Sequence, residues 1–290
     1  MTLRLRGLGA LWLWLLPGAL VGLFLIYVPL AAALGVGFLK MTTLASAPTF
    51  AWIENYVQAL QSSEFWSALR NGLIYALGSL LLELLLGVCF ALVLNQRFRG
   101  RALLRGIVIF PYVIPSAVGV MTWKWMLDEN VGIITVLLRH VHIEIPWLSR
   151  PGWAMATVIL ISVWLWTPFV TVTTLAGLQT IPSILYEAAQ VDGARALQRL
   201  WHITLPSLLP ILVVVALLRG IFMFNKFDVI WLATGGGPLD STEHLPILAY
   251  QISFGNFHLG QGAAVSGLNL LAVVFLVVVY LRATRRVSQQ

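Results

Sequence analysis

The sequence predicts an all-α integral membrane protein that crosses the bilayer six times. Three observations carry that expectation: a composition too apolar for a soluble domain, six apolar stretches of spanning length, and a one-sided distribution of arginine. Hydrophobic residues make up 59% of the 290-residue chain and charged residues 10%, against roughly 25% charged in soluble domains. A bilayer core about 30 Å thick needs about 20 mostly apolar residues in a helix, because lipid offers backbone groups no hydrogen-bond partner. Six stretches qualify, at about 11–39, 68–94, 106–126, 152–177, 208–232 and 261–281. The net charge of +7 does not gather on one soluble face, as nucleic-acid binding requires. Lys and Arg fall instead in short clusters beside the apolar runs.

The first stretch carries Pro17 and Pro29, which a span tolerates where neighbouring helices re-satisfy the freed carbonyls. Arg4 and Arg6 before it and Ala31, Ala32 and Ala33 after it imitate a secretory signal. Its apolar run, from about Ala10 to Leu39, exceeds the roughly 7–15 residues of such a core, so it reads as an uncleaved first span. The second holds the lone cysteine, Cys89, which excludes an internal disulfide framework and is expected as small packing filler. The third begins near Gly106 and contains Pro111 and Pro115, which predicts a kinked helix, either a simple bend or one that opens a cavity.

The fifth stretch is unusual in holding Arg219, Asn225, Lys226 and Asp228. An ionisable residue at mid-membrane costs about 2.5–3.5 kcal/mol on insertion scales, so such groups normally face a bundle interior or water. Glu83 is the other acidic group at comparable depth, and a buried structural ion pair between Glu83 and Arg219 is expected. On a continuous helix Arg219 and Lys226 share one face, and Asn225 and Asp228 another. Asn225 and Asp228 suit hydrogen bonds to a polyol, with Phe227 or Trp231 as a stacking surface. The competing placement puts Lys226 and Asp228 at the outer membrane edge as anchors. Gly262, Ala263, Ser266 and Gly267 open the sixth stretch as small residues that let helices approach closely.

Orientation follows from the short connections. Arg4, Arg6, Arg97, Arg99, Arg101, Arg105, Arg195, Arg199, Arg282, Arg285 and Arg286 fall on one side. Lys40, Arg70, Arg139 and Arg150 fall on the other, with Lys124 near a helix end where it can snorkel. The imbalance puts both termini and the 178–207 connection in the cytoplasm. The outer loops are too short to fold alone, so a solute-capturing module must be a separate protein. His140, His142 and Glu144 alternate along one of them and read as a solvated stretch rather than a metal site. No phosphate loop of the form G-x-x-x-x-G-K-[ST] occurs in the chain, so any ATP that drives this protein is bound by another polypeptide.

The stretch from Tyr186 to Pro206, YEAAQVDGARALQRLWHITLP, places a polar helix-turn-helix between two spans. It cannot lie in lipid. Pro182 suits a first helical turn, Ala188 and Ala189 leave a slim flank, and Gly193 permits a sharp turn. Arg195 and Arg199 form an i, i+4 pair on one exposed face. An amphipathic connector lying on the lipid surface is the plainer alternative.

Glu187, Ala188, Ala189, Gly193, Ile203, Leu205 and Pro206 resemble the signature loop of binding-protein-dependent ABC transporter permeases. The phrases FPYVIPS, NKFDVIWLATGGGP and LPILAYQISFGNFHLGQGAAVS are similar to segments of the sugar-type members. The resemblance implies a type I ABC importer permease fold, one transmembrane domain over 1–290, with a cytoplasmic coupling helix. It implies that Glu187, Ala188, Ala189, Asp192, Gly193 and Arg195 couple to an ATPase. It further implies the first of two permease subunits in a maltose-, trehalose- or glycerol-phosphate-type importer of the cell inner membrane. The partners would be a second homologous permease, two copies of a cytoplasmic ABC ATPase that binds ATP and Mg, an external solute-binding protein, the sugar and membrane lipid. No cofactor would sit in this chain, and no covalent chemistry falls to it. The family's sugar site lies on the fourth, fifth and sixth spans, which adds Trp164, Thr167 and Asn269 to Asn225, Asp228 and Trp231 as pathway candidates. An ABC permease for a non-sugar solute is the alternative. An ion-coupled transporter would need more carboxylates than Glu83 and Asp228, and an intramembrane enzyme a nucleophile with its base.

Overall fold

A computed structural model of the chain describes residues 14–43 and 47–285. Arg4, Arg6 and Arg286 lie outside the described residues. Among the described residues five helices are long and apolar enough to cross a membrane, and a sharply bent helix pair meets the same test when its two halves are taken together. The helices are α1 (Trp14–Val36), α2 (Glu54–Gln61), α3 (Ser63–Asn95), α4 (Arg101–Val113), α5 (Ser116–Met126), α6 (Ile133–Arg139), α7 (Pro151–Leu178) and α8 (Ser183–Val191). They continue with α9 (Ala196–Phe224), which includes a π-helical turn at Leu200–Thr204, α10 (Phe227–Thr234), α11 (Leu245–Tyr250) and α12 (Leu259–Arg285). Two short strands, β1 (Leu39–Lys40) and β2 (Thr49–Phe50), pair antiparallel with Leu39 opposite Phe50.

The chain divides into two compact units. The first comprises the chain up to Phe65 together with Leu248–Leu271. Its organising side chain is Asn55, buried on α2, whose Nδ2 donates to the carbonyls of Gly37 and Leu39, each at 2.9 Å. Those bonds hold the end of α1 and the β-hairpin on α2, and Gln261 Nε2 donates to Gln58 Oε1 at 2.9 Å. Gly262 and Gly267 are buried here, Gly267 against the ring of Tyr56. Gly262 and Gly267 therefore serve close packing within the unit, whereas Ser266 is exposed.

The second unit, Trp66–Ile247 with the chain after Leu271, contains the long helices α3, α7 and α9. One buried cluster joins Tyr75, Val120, Val158, Ile161, Val229 and Ile230; another joins Ala91, Leu94, Leu175, Leu178 and Leu208. Tight approach of α3 to α7 depends on Gly87, where an added Cβ would meet Val170 at 2.5 Å. Cys89, expected as packing filler, is exposed on α3 instead.

Two expected spans are broken. The third begins at Arg101 rather than near Gly106, and α4 and α5 are bent by 100°. Pro115 causes the break: the ring disfavours helical geometry at the preceding residue, and Ile114 is extended at φ −75°, ψ 132°. Pro111 is accommodated inside α4 without ending it. The fifth expected span, 208–232, runs over a second break. Helix α9 ends at Phe224, with Asn225 as its C-cap and Lys226 extended before α10. No proline acts there. Asn225 Nδ2 donates to the Ile221 carbonyl at 3.1 Å, a local bond that competes with helix continuation. Asp228 stands in the first turn of α10, where the positive helix end favours an acid.

The 127–150 loop is ordered by its own polar groups. Asp128 Oδ1 accepts the amides of Val131 and Asn130 at 3.0 and 2.9 Å, and these bonds hold its carboxyl below the usual range. His140 Nδ1 lies 2.8 Å from the Val136 carbonyl. Among the described residues no three His, Cys, Asp or Glu side chains converge on a metal position.

Candidate functional site: an exposed hairpin and a buried charged corner

Helix α8 is stopped by a complete Schellman motif. Gly193 takes φ +76°, the Ala194 amide reaches the Ala189 carbonyl at 2.8 Å, and the Gly193 amide reaches that of Gln190 at 3.1 Å. An added Cβ on Gly193 would meet nothing within 4 Å. Its requirement for glycine is therefore conformational, the left-handed region that costs a side-chain-bearing residue about 1–2 kcal/mol. Arg195 restarts the chain as the N-cap of α9, and its amide donates to Gln198 Oε1 at 2.7 Å. The expected i, i+4 arginine face does not form: Arg195 stands outside the helix, and Arg199 is half-buried. Glu187, Ala188, Asp192, Gly193 and Arg195 are exposed, and Ala189 is half-buried. A recess of about 300 Å³ opens between Ala189, Asp192, Gly193, Arg199, His202 and Ile203.

The hairpin is tied to the span that follows it. Tyr186 Oη and Thr204 Oγ1 are hydrogen-bonded at 3.0 Å, and Thr204 Oγ1 donates to the Arg199 carbonyl at 3.3 Å across the π-turn. Thr204 is buried. This link joins the residue before Glu187 to the π-helical turn inside α9. Neither a π-turn nor its tyrosine brace leaves a period in the sequence.

The charged groups of the membrane region gather at one corner of the second unit. Arg219 grips Glu83 with two parallel bonds, Nε to Oε2 at 2.8 Å and Nη2 to Oε1 at 3.1 Å, and both residues are buried. Its guanidinium also lies 4.8 Å from the ring centre of Trp166 and 5.8 Å from that of Phe169. Lys226 Nζ sits 4.5 Å from the same Trp166 ring and 3.0 Å from Asp228 Oδ1. The second carboxylate oxygen accepts from Ser116 Oγ at 2.6 Å. Phe227 and Trp231 stack with ring centres 5.5 Å apart. Asp228 is thus joined to Lys226, and Asn225 lies on the far side of the helix break, so the face expected for Asn225 with Asp228 does not exist.

The remaining pathway candidates lie elsewhere. Trp164 and Thr167 line an apolar groove of about 520 Å³ with Trp123, Trp147 and Phe90, and Trp164 meets Trp123 edge to face at 5.5 Å. Thr167 is buried there, and its hydroxyl has no hydrogen-bond partner among the described residues. Asn269 is half-buried on α12 in the first unit. Ser116 and Trp166 belong to the charged corner, and sequence reasoning missed both. The break at Pro115 places Ser116 at the start of α5, and that proline was the one available signal.

The five membrane-length helices and one bent pair among the described residues, with a polar hairpin between two of them, mark an integral membrane protein. The chain belongs to the family described as binding-protein-dependent transport system inner membrane component, which matches residues 83–289. It is therefore a multi-pass permease subunit of an ABC importer and not itself an enzyme. It is 36% identical over 94% of its length to 93% of the trehalose/maltose transport system permease protein MalF of Thermococcus litoralis. It is 32% identical over 94% of its length to 89% of the sulfoquinovosyl glycerol transport system permease protein SmoG of Agrobacterium fabrum. In fold it matches a chain of a bacterial alginate ABC transporter with a TM-score of 0.85, 22% identity and coverage of 98% of this chain and 97% of that one.

Proposed function

We propose that this chain is one of two permease halves of an ATP-driven carbohydrate importer and that the 186–206 hairpin is its handle for the ATPase. The observation that carries the docking role is the exposed, rigidly terminated α8 with its Glu187, Ala188, Ala189 flank and Gly193 turn. The relatives' names, trehalose/maltose and sulfoquinovosyl glycerol transport, support a sugar cargo. A second homologous permease, two ATPase copies carrying ATP and Mg, and an external solute-binding protein complete the assembly. The excess of arginine beside the hairpin supports a cytoplasmic position for it and for both termini. Closure of the ATPase pair would pull on α8, and the Tyr186–Thr204 bond would pass that motion into α9. Asp228 and Trp231, at the charged corner, and Asn225, across the break beside it, are the pathway residues this arrangement favours.

The test is uptake and ATP hydrolysis measured together in proteoliposomes holding the whole complex. Replacing Glu187 with alanine should leave membrane insertion intact while sugar uptake falls several-fold relative to ATP hydrolysis. Undiminished uptake would remove the docking role.

A further inference from the structure

We infer that the bent helix pair carries a seat for an anionic phospholipid, with the head-group phosphate on Arg101 and Arg105 and an acyl chain in the apolar groove beside them. The seat is independent of the cargo. Four arginines, Arg97, Arg99, Arg101 and Arg105, stand where α3 gives way to α4, and no acidic residue occurs between Glu83 and Asp128. Those two acids are already committed, Glu83 to Arg219 and Asp128 to the amides of Asn130 and Val131. Among the described residues none of the four arginines has an ion pair. Arg97 and Arg99 are exposed and can be left to water. Arg101 and Arg105 are half-buried, and the Nε atom of each is shut off from solvent with no hydrogen-bond partner among the described residues. Charge alone suffices to fix membrane orientation; it does not require either Nε to be enclosed. An enclosed donor left unmet is costly, and phosphate oxygens match the planar fork of a guanidinium.

Hydrocarbon follows directly on this charge. Arg101, Arg105 and Val108 recur on α4 at the spacing of one helix face, and Val108 lies on the wall of the groove of about 520 Å³. At a rise of 1.5 Å per residue, Arg105 stands about 4–5 Å along the axis from Val108. The wall continues through Phe90 of α3, Ile107 and Pro111 of α4 and Leu160 of α7. Ile107 and Leu160 are exposed, so the groove is open along its side. No charged side chain lines it, and its two hydroxyls belong to Thr167 and to Thr157, which donates to the Trp147 carbonyl. A saccharide or a peptide would forfeit hydrogen bonds on such walls, whereas an acyl chain needs none. Basic pockets between membrane helices suit anionic head groups, and here the cations and the apolar wall match the two ends of one lipid.

The experiment uses the whole permease and ATPase complex in nanodiscs of equal parts phosphatidylglycerol and phosphatidylcholine. After extraction into mild detergent, the lipid still held is counted by native mass spectrometry. The wild type should retain phosphatidylglycerol in preference to phosphatidylcholine. Arg101→Gln with Arg105→Gln should lower that retention by about tenfold or more, the weight of two cations at a membrane surface. Arg97→Gln with Arg99→Gln should lower it less. Ile107→Trp fills the groove from its open side, leaves the arginines in place and should also lower retention several-fold. Should the Arg101 and Arg105 variant assemble poorly, the Ile107 variant decides. Equal retention of the two lipids by the wild type, or unchanged retention in the Arg101/Arg105 and Ile107 variants, overturns the inference. So does release of the lipid by inorganic phosphate alone, which would reduce the seat to an anion contact. Loss of the ATPase from the Arg101/Arg105 variant with lipid retention unchanged would assign those arginines to the partner protein and overturn it equally.

Discussion

The hairpin at Tyr186–Pro206 and the corner at Glu83, Arg219, Lys226 and Asp228 both concentrate polar chemistry in an apolar chain, yet they treat it in opposite ways. In the hairpin the charges point outward. Glu187, Asp192 and Arg195 are exposed, and backbone devices, the Schellman turn and the Gln198 cap, hold the shape. In the corner the charges turn on one another. Each cation has a carboxylate and an aromatic face, and those contacts hold the shape. The difference follows from solvent: an exposed charge is cheap to leave for a partner protein, whereas a buried one left unpaired is costly.

The largest effect expected from this contrast lies in the corner. Glu83→Gln leaves Arg219 buried with its partner charge removed, a loss of about 3–5 kcal/mol for a buried pair. The variant should give little folded protein, read as yield and melting temperature in detergent. Exchanging the two residues, Glu83→Arg with Arg219→Glu, should recover part of the loss, because the bidentate geometry at 2.8 and 3.1 Å needs one residue of each kind. A double exchange as unstable as the single variant would show that Trp166 and Phe169 matter more than the carboxylate.

The hairpin should respond more mildly and in a different observable. Gly193→Ala meets no steric obstacle and suffers only the left-handed backbone, about 1–2 kcal/mol. Frayed at the end of α8, the variant should insert normally but lose uptake against ATP hydrolysis. Gly193→Asn, which tolerates that region better, should lie between alanine and wild type. Equal losses for alanine and asparagine would place the role of Gly193 in close approach to a partner rather than in its dihedral angle.

These regions also mark how far the sequence was legible. The spans, the hairpin and its turn could be read because each rests on a local rule: length in lipid, the period of a helix, the freedom of one glycine. Glu83 and Arg219 could be paired because few ionisable groups were deep enough to choose among. The breaks at Ile114 and at Asn225–Lys226 were harder. Pro115 signalled a bend without its size, and nothing about Asn225 distinguishes a pathway polar group from a helix cap. Assigning Asn225 and Asp228 to one face assumed a continuous helix. Trp166 and Ser116 join the corner only through tertiary contact, which leaves no local trace.

The brace between hairpin and span yields a smaller prediction. Tyr186→Phe removes one hydroxyl from a bond of 3.0 Å to Thr204, worth about 0.5–1.5 kcal/mol, and leaves the ring in place. If this bond transmits motion, ATP hydrolysis should persist while sugar uptake per ATP falls. Thr204→Val should behave alike, and the double variant should cost little more than either single one, because both remove the same bond. Additive losses would mean that the two residues act separately, with Thr204 serving mainly the π-turn through the Arg199 carbonyl.

The smallest effect concerns protons. His244, between α10 and α11, is fully buried beside Tyr75, and burial lowers its pKa to about 3. In the unfolded chain a histidine titrates near 6.5. Between those values the unfolded state binds a proton that the folded state refuses, so stability falls as pH drops below about 6.5 and stops falling on this account near pH 3. From pH 7 to pH 6 the loss is under about 1 kcal/mol, a small decrease in detergent melting temperature. His244→Gln should flatten that slope even where it lowers the melting temperature at pH 7. An unchanged slope would assign the acid sensitivity to exposed groups, whereas a flattened one would show that neutrality is enforced in this loop as it is at the charged corner, by burial there and by pairing at Lys226 and Asp228.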